Sequence, residues 1–172
     1  MSGAVTVSAP AKINLSLGVG ARRADGFHAL ATVYQAIGLY DRVTVTDADD
    51  LTVSVTADAR IPVDGVPLDD TNIAVRAART LREYHGGIRR GAHLAIEKGI
   101  PVAGGMAGGS ADAAATLLAL DHLWGLGTPR PEMKRIAAEL GSDVPFALVG
   151  GTAIGSGPGA GPGGGAGDVV DA

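Results

Sequence analysis

The sequence of 172 residues contains no cysteine, and aromatic residues make up only 3% of it. The lack of cysteine excludes disulfides, thiolate zinc sites and cysteine nucleophiles, and it is consistent with a reducing compartment. With so few aromatic residues the core must consist mainly of Ala, Val, Leu and Ile. Hydrophobic residues form 46% of the sequence, which is ample for the core of a single domain.

Features that direct a chain to membranes, nucleic acids or metals are also missing. No apolar run approaches the roughly 20 residues of a transmembrane helix, and the N-terminal residues lack the basic start and apolar centre of a signal peptide. The net charge of −4 argues against nucleic acid as a partner. The four histidines are scattered without metal-ligand spacing, so no metal site is predicted. We therefore expect a cytoplasmic protein.

Hydrophobic periodicity divides the chain into a strand-rich first part and a helix-rich second part. Alternating apolar residues predict strands, and these lie at 5–7, 13–19, 27–39, 43–45, 51–55, 92–98 and 146–149. Helical spacing predicts three helices: one capped by Thr71 or Asn72, one after residue 110, and one starting at Pro131. This order predicts an α+β fold in which helices pack on one face of a β-sheet.

A glycine-rich loop connects the strand at 92–98 to the helix that carries Leu117, Leu120 and Trp124. Such a loop presents free backbone N–H groups and the positive end of a helix dipole, which together form an anion site, most often for phosphate. The loop has neither the Walker A sequence nor a G-x-G-x-x-G fingerprint. A flexible loop before a buried helix is the alternative. The candidate phosphate-binding residues are Pro101, Gly104, Gly105, Met106, Ala107, Gly108, Gly109 and Ser110.

Three polar segments elsewhere are candidates for substrate contacts or chemistry. Lys12 and Asn14 share a strand face opposite Ile13, which fits either a solvated face or a cation and an amide aimed at an anionic substrate. Asp143 lies between a helix end and the predicted last strand, as a turn residue or as a carboxylate placed to take a proton from a hydroxyl. His28 is a surface residue or a recognition group, and nothing in its neighbourhood decides between them.

Taken together, four segments resemble the GHMP kinases. They are PAKIN at 10–14, RADGFH at 23–28, the glycine-rich run at 101–110, and GSDVP at 141–145. Within the superfamily they are most similar to the branch that phosphorylates 4-diphosphocytidyl-2-C-methyl-D-erythritol in non-mevalonate isoprenoid synthesis. The resemblance implies the GHMP kinase N-terminal fold, which is ribosomal protein S5 domain 2-like.

The resemblance also implies a role for each matched residue. ATP with Mg²⁺ would be the phosphoryl donor, and residues 104–110 would hold its triphosphate. Asp143 would be the catalytic base and Lys12 its charged partner. Asn14 would orient the methylerythritol unit, and Phe27 and His28 would receive the cytosine.

The resemblance covers roughly residues 5–155 and defines the expected domain organisation. We expect an ATP-binding domain at 1–155 and a disordered Gly/Pro-rich tail at 156–172. Members of the family carry a second, C-terminal domain that closes the cleft, and this sequence diverges before it. Two alternatives stay open: another GHMP small-molecule kinase, or a non-catalytic nucleotide-binding fragment.

Overall fold

The computed structural model describes residues 3–22, 28–158 and 168–171, and the side chains within 3–18 and 31–155. The described residues form six strands and four helices. In chain order these are β1 (Ala4–Arg22), β2 (His28–Ala48), β3 (Leu51–Ala57), α1 (Ile73–Tyr84), β4 (Gly91–Lys98), α2 (Gly108–Trp124), α3 (Arg130–Leu140), α4 (Val144–Val149), β5 (Thr152–Pro158) and β6 (Asp168–Asp171).

All six strands belong to one mixed sheet in the order β3-β4-β2-β5-β6, with β1 paired alongside β2. The β3–β4 pair is parallel and the other pairs are antiparallel. Helices α1 and α2 pack against each other, and α2 packs against β1 and β2. The predicted α+β architecture, with helices packed on a sheet, is confirmed.

Strands β1 and β2 are longer than the sequence pattern predicted. The two N-terminal runs form the single strand β1, and the runs at 27–39 and 43–45 form the single strand β2. The pairing register of β1 with β2 shifts at Pro10/Ala11, Asn14/Ser16 and Val19/Arg22. These irregularities interrupt the strict alternation of apolar and polar residues, and the pattern therefore predicted separate strands.

Helices α1 to α3 agree with their predicted positions. Asn72 caps α1, because its side chain accepts a hydrogen bond from the Ala74 N–H at 2.9 Å. Gly125 ends α2 in the left-handed conformation that glycine adopts without strain. The predicted apolar stripe of α2, which carries Leu117, Leu120 and Trp124, is buried.

The segment 144–149 is helix α4, so the strand predicted at 146–149 is wrong. A short apolar run does not distinguish a strand from a buried helix turn. The helical signal was Pro145, since proline is favoured in the first turn of a helix. The correction changes the position of Asp143, which immediately precedes a helix and does not lie at a strand entrance.

The core lies between the sheet and the helices and consists mainly of small aliphatic residues. Helix α2 contributes a run of buried alanines, and α1 and the central strands add Val, Leu and Ile. A second, smaller cluster contains Tyr34, Phe146 and Ala153. None of the helices in the described residues is both long and apolar enough to cross a membrane.

The C-terminal segment predicted to be disordered contains strand residues. Strand β5 continues through Pro158, and β6 pairs antiparallel with it. The other residues of the predicted tail, 159–167 and 172, lie outside the described part of the chain.

Candidate active site

The glycine-rich loop follows β4 directly, as predicted, and enters α2 at Gly108, three residues before the predicted helix start. Its backbone adopts left-handed conformations at Ala103 (φ 59°), Gly105 (φ 71°) and Ala107 (φ 59°). Alanine rarely adopts this conformation, because its Cβ approaches the backbone carbonyl oxygen. The two alanines therefore place backbone strain on either side of Gly105.

A cavity of about 410 Å³ opens beside this loop. All the predicted phosphate-binding residues except Ser110 line it, and Ser110 lies in the first turn of α2. Asn72, Lys98 and Asp112 also line the cavity. The N-terminal end of a 17-residue helix therefore borders a cavity of suitable size for a small anionic ligand.

Lys12 and Asp143 come together although 131 positions separate them in the sequence. The Lys12 Nζ atom lies 3.4 Å from Asp143 Oδ2. It also donates a hydrogen bond of 2.8 Å to Asn14 Oδ1. Lys12 is only 8% exposed, so the solvated-face interpretation is wrong for this residue. A buried lysine needs such partners, because an unpaired charge would be expensive to desolvate.

Asn14 is held in place by a chain of hydrogen bonds along the sheet. Its Nδ2 donates to Thr32 Oγ1 at 2.6 Å, and the Thr32 hydroxyl donates to the Ser16 carbonyl at 2.8 Å. Both of these bonds join β1 to β2 next to a register shift in β1. The amide of Asn14 is therefore fixed beside the lysine ammonium.

Tyr34 is a member of the site that the sequence did not indicate. Its hydroxyl donates to Asp143 Oδ1 at 2.9 Å, and its ring stacks on Phe146 with centroids 4.8 Å apart. The Lys12 ammonium lies 5.7 Å from the centroid of the same ring. Burial raises the pKa of Tyr34 well above its usual range, and the charge and hydrogen bond of Asp143 add to this effect. The phenol therefore stays protonated and remains a donor to the carboxylate.

Asp143 precedes α4 and makes no side-chain capping bond to that helix. Its two carboxylate oxygens contact Tyr34 and Lys12 instead, and its side chain is 27% exposed. The carboxylate is thus oriented by two partners and keeps an exposed edge, which a proton acceptor for an external hydroxyl requires.

The lysine and the glycine-rich loop are directly linked. The backbone N–H of Lys12 donates to the Met106 carbonyl at 3.1 Å. The phosphate-loop candidate and the Lys12–Asp143 pair therefore belong to one site, although the cavity beside the loop is not lined by the pair itself.

The residues predicted to bind the cytosine lie wholly or partly outside the described part of the chain. Phe27 lies outside the described residues. The backbone of His28 begins β2 and pairs with Arg22, while its side chain lies outside the described residues. Their predicted roles remain predictions.

A buried cluster of three charged side chains, Asp41, Lys98 and Asp112, lies next to the glycine-rich loop. The sequence did not indicate that these three residues are in contact. Lys98 donates hydrogen bonds to Asp41 Oδ2 and to Asp112 Oδ2, the latter at 2.7 Å. Asp41 also accepts hydrogen bonds from the backbone N–H groups of Gly99 and Ile100, both at 2.8 Å. The rarity of lysine in this sequence was the one available signal for Lys98.

No group of three or more His, Cys, Asp or Glu side chains that could hold a metal ion occurs among the described residues. Mg²⁺ commonly keeps several waters and is held largely by substrate phosphates. A magnesium ion at this site would therefore depend mainly on the phosphates of a bound nucleotide.

Residues 72–151 match the family model described as the GHMP kinases N terminal domain. The chain is 60% identical over 149 residues to the 4-diphosphocytidyl-2-C-methyl-D-erythritol kinase of Nocardioides sp., covering 87% of this chain and 50% of that protein. It is 57% identical over 153 residues to the enzyme of the same name from Streptomyces avermitilis, covering 89% of this chain and 50% of that protein.

Among solved structures, the fold is similar to a crystal structure of 4-(cytidine 5'-diphospho)-2C-methyl-D-erythritol kinase. The TM-score is 0.68 and the identity 35%, and the match covers 92% of this chain and 53% of the other. The chain therefore spans about half the length of the curated relatives it matches.

Proposed function

This chain carries a GHMP kinase N-terminal domain, and from that premise we propose that it transfers the γ-phosphoryl group of ATP to the 2-hydroxyl of 4-diphosphocytidyl-2-C-methyl-D-erythritol. The observation that carries the proposal is the contact of the buried Lys12 with the partly exposed Asp143, with the Lys12 backbone hydrogen-bonded to the glycine-rich loop. The names of the similar proteins support the choice of acceptor.

In the proposed reaction the 2-hydroxyl oxygen attacks the γ-phosphorus, and the bond from that phosphorus to the β–γ bridging oxygen breaks. The hydroxyl proton passes to the Asp143 carboxylate, and ADP leaves with the bond's electron pair. Lys12 places its positive charge beside the attacking oxygen, where it offsets developing negative charge. Mg²⁺, bound with the nucleotide, would neutralise charge on the phosphates.

The residues around the pair would keep it oriented during this step. Tyr34 fixes one oxygen of Asp143, and Asn14 fixes the Lys12 ammonium. Asn14 is also exposed on the same face, so its amide can contact the acceptor's hydroxyl groups. The glycine-rich loop would bind the triphosphate with backbone N–H groups at the positive end of α2.

The test is an assay of phosphoryl transfer from ATP to the diphosphocytidyl acceptor by the purified chain. Asp143→Asn removes the proton acceptor and preserves the shape of the side chain, and we expect turnover to fall by about 10²–10⁴-fold. Asp58→Asn is the matched control, because Asp58 is an exposed carboxylate whose side chain pairs with Arg60. Mevalonate and homoserine, offered in parallel, test the acceptor class.

Binding of a fluorescent ATP analogue separates two ways in which the assay can fail. A folded chain that binds the analogue without phosphorylating any acceptor would support the nucleotide-binding alternative and contradict the proposed activity. Transfer to mevalonate or homoserine in preference to the diphosphocytidyl compound would contradict the proposed substrate. Equal turnover in Asp143→Asn and the unmodified chain would contradict the assignment of the base.

A further inference from the structure

The buried cluster of Asp41, Lys98 and Asp112 carries more negative than positive charge if both carboxylates are ionised. All three side chains are at least 95% buried. Two carboxylates then share one ammonium in a region that water does not screen, so one of them has an uncompensated charge. The strands β2 and β4 and the helix α2 each contribute one of the three groups.

The two carboxylates are not equivalent. Asp41 accepts hydrogen bonds from two backbone N–H groups in addition to its contact with Lys98. In Asp112, Oδ2 accepts a hydrogen bond from Lys98, whereas Oδ1 is buried and has no hydrogen-bond partner among the described residues. A buried oxygen without a donor disfavours the charged form of its carboxyl group. Asp112 is therefore the member of the cluster that takes up a proton most readily.

The cluster lies in direct contact with the start of α2 and with the cavity beside the loop. A Cβ atom built on Gly108 would lie 3.2 Å from Lys98 Nζ and 3.4 Å from Asp41 Oδ2. Lys98 and Asp112 both line the cavity that the glycine-rich loop borders. The charge on the cluster therefore acts at short range on any anion held by the loop.

Burial raises the pKa of Asp112 to about 7, and the charge of Asp41 adds to this effect while that of Lys98 opposes it. These are the charges that act on Asp112: Lys98 from β4 and Asp41 from β2. The cluster can therefore change its net charge by one near neutral pH. An ionised Asp112 would repel a polyphosphate, and a protonated one would not.

We propose that Asp112 is a positioning residue of the glycine-rich loop, acting through Lys98, and that it gains a proton when a nucleotide polyphosphate occupies the loop. The proposal rests on the proposed function, since it requires a nucleotide at this site. Asp41 is the permanent partner of Lys98 and ties β2 to the first residues of the loop. Asp112 is the partner whose charge changes.

The first experiment measures this proton directly. Calorimetric titration of the chain with ATP near pH 7, in two buffers of different ionisation enthalpy, gives the number of protons taken up. We expect Asp112→Asn to take up fewer protons than the unmodified chain, because asparagine keeps the acceptor for Lys98 but cannot titrate. The difference between the two proteins cancels the protonation of ATP itself. Asp58→Asn, the exposed control, should match the unmodified chain.

The pH dependence of ATP affinity gives a second readout. For the unmodified chain the dissociation constant should rise more steeply between about pH 6 and about pH 8 than for Asp112→Asn, up to the limit of about tenfold per pH unit for one linked proton. Identical slopes and identical proton uptake in the two proteins, with ATP bound to both, would overturn the inference and leave the proposed function standing. No ATP binding by the folded unmodified chain would overturn both.

Unfolding measurements without nucleotide test whether Asp112 acts through a charge that changes with pH or only as part of a structural ion pair. A raised folded-state pKa means that the folded chain binds more protons than the unfolded chain between about pH 4 and about pH 7, so stability falls as the pH rises through that window. Asp112→Asn should remove this fall and should not lower the urea midpoint at about pH 8. Asp41→Asn should lower the midpoint at every pH. Equal losses in both variants would contradict the unequal roles.

Discussion

Tyr34 orients Asp143 through a hydrogen bond and lies beside the Lys12 ammonium. The residue combines three contacts: a hydrogen bond to the carboxylate, a stack on Phe146 and a position near the ammonium. Only the first of these depends on the hydroxyl. The contribution of the hydrogen bond can therefore be separated from that of the ring by a single-atom change.

We predict that Tyr34→Phe lowers the free energy of unfolding by about 1–2 kcal/mol, because a partly buried hydrogen bond to a charged group is lost. Urea unfolding followed by circular dichroism would measure this. Tyr40→Phe is the control, since Tyr40 is 55% exposed and should change stability by only a few tenths of a kcal/mol. Equal values for the two variants would show that the Tyr34 hydroxyl contributes nothing to the site.

At this scale the sequence predicted some members of the site and not others. Lys12, Asn14 and Asp143 were named because short motifs contain them. Tyr34 and Thr32 were not, because the pairing of Tyr34 with Asn14 and the hydrogen bond of Thr32 to Asn14 depend on the register of β1 with β2, which single-sequence alternation does not reveal. The Asp41–Lys98 contact likewise joins residues 57 positions apart.

Strand β5 packs closely against the candidate active site at Gly155. A Cβ atom built on Gly155 would lie 2.5 Å from Tyr34 Cε2 and 3.1 Å from Thr32 Cγ2. Real Cβ atoms do not approach other atoms so closely, so any side chain here must displace the tyrosine ring or the strand.

We predict that Gly155→Ala lowers the free energy of unfolding by about 1–3 kcal/mol through overpacking, and that it also reduces phosphoryl transfer by moving Tyr34 away from Asp143. Gly18→Ala is the matched control on β1, where the added carbon would meet only the Ala31 carbonyl oxygen at 3.6 Å. A fully stable Gly155→Ala chain would contradict the described packing of β5.

The conformation of the glycine-rich loop gives a second prediction at the scale of the element. Gly105 has φ 71°, and a Cβ atom built on it would meet no described atom within 4 Å. The cost of an alanine here is therefore backbone strain alone. We predict that Gly105→Ala lowers the free energy of unfolding by about 1–2 kcal/mol. Gly38→Ala, also in open space but without positive φ, should be neutral or slightly stabilising. Thermal or urea unfolding of the pair would decide, and an equally neutral Gly105→Ala would contradict the loop conformation.

Elements were predicted well where periodicity ran long and poorly where it was short. The stripe Leu117, Leu120 and Trp124 spans two turns, and it indicated α2 correctly. The six residues of α4 are too few for a helical period to show, and their apolar character fits a buried strand equally well. Apart from Pro145, what favours the helix is the packing of α4 against α2 and α3, which the sequence pattern does not show.

At the scale of the whole molecule, large apolar side chains remain exposed on β1 and β5. Leu15 and Leu17 are 59% and 57% exposed, and Ile154 is 53% exposed. Leu15 and Leu17 are two positions apart on β1 and lie close together, whereas Ile154 pairs with Val33, next to the Thr32 that pairs with Leu17, and so lies on the other face of the sheet. Clustered exposed apolar residues are a liability for a soluble domain.

We predict that the chain binds a hydrophobic dye such as ANS in its folded state and that the double change Leu15→Ser with Leu17→Ser reduces the fluorescence. Because both leucines are more than half exposed, the urea midpoint should change little. Leu68→Ser is the control, since Leu68 is 64% exposed but lies in the loop before α1. Unchanged dye binding in the double variant, or an equal decrease in Leu68→Ser, would show that Leu15 and Leu17 do not form the surface that binds the dye. A decrease confined to the double variant would identify the exposed apolar side chains of β1 as the dye-binding surface. Among the described strands β1 pairs only with β2, so its other edge is available for contact with another protein surface.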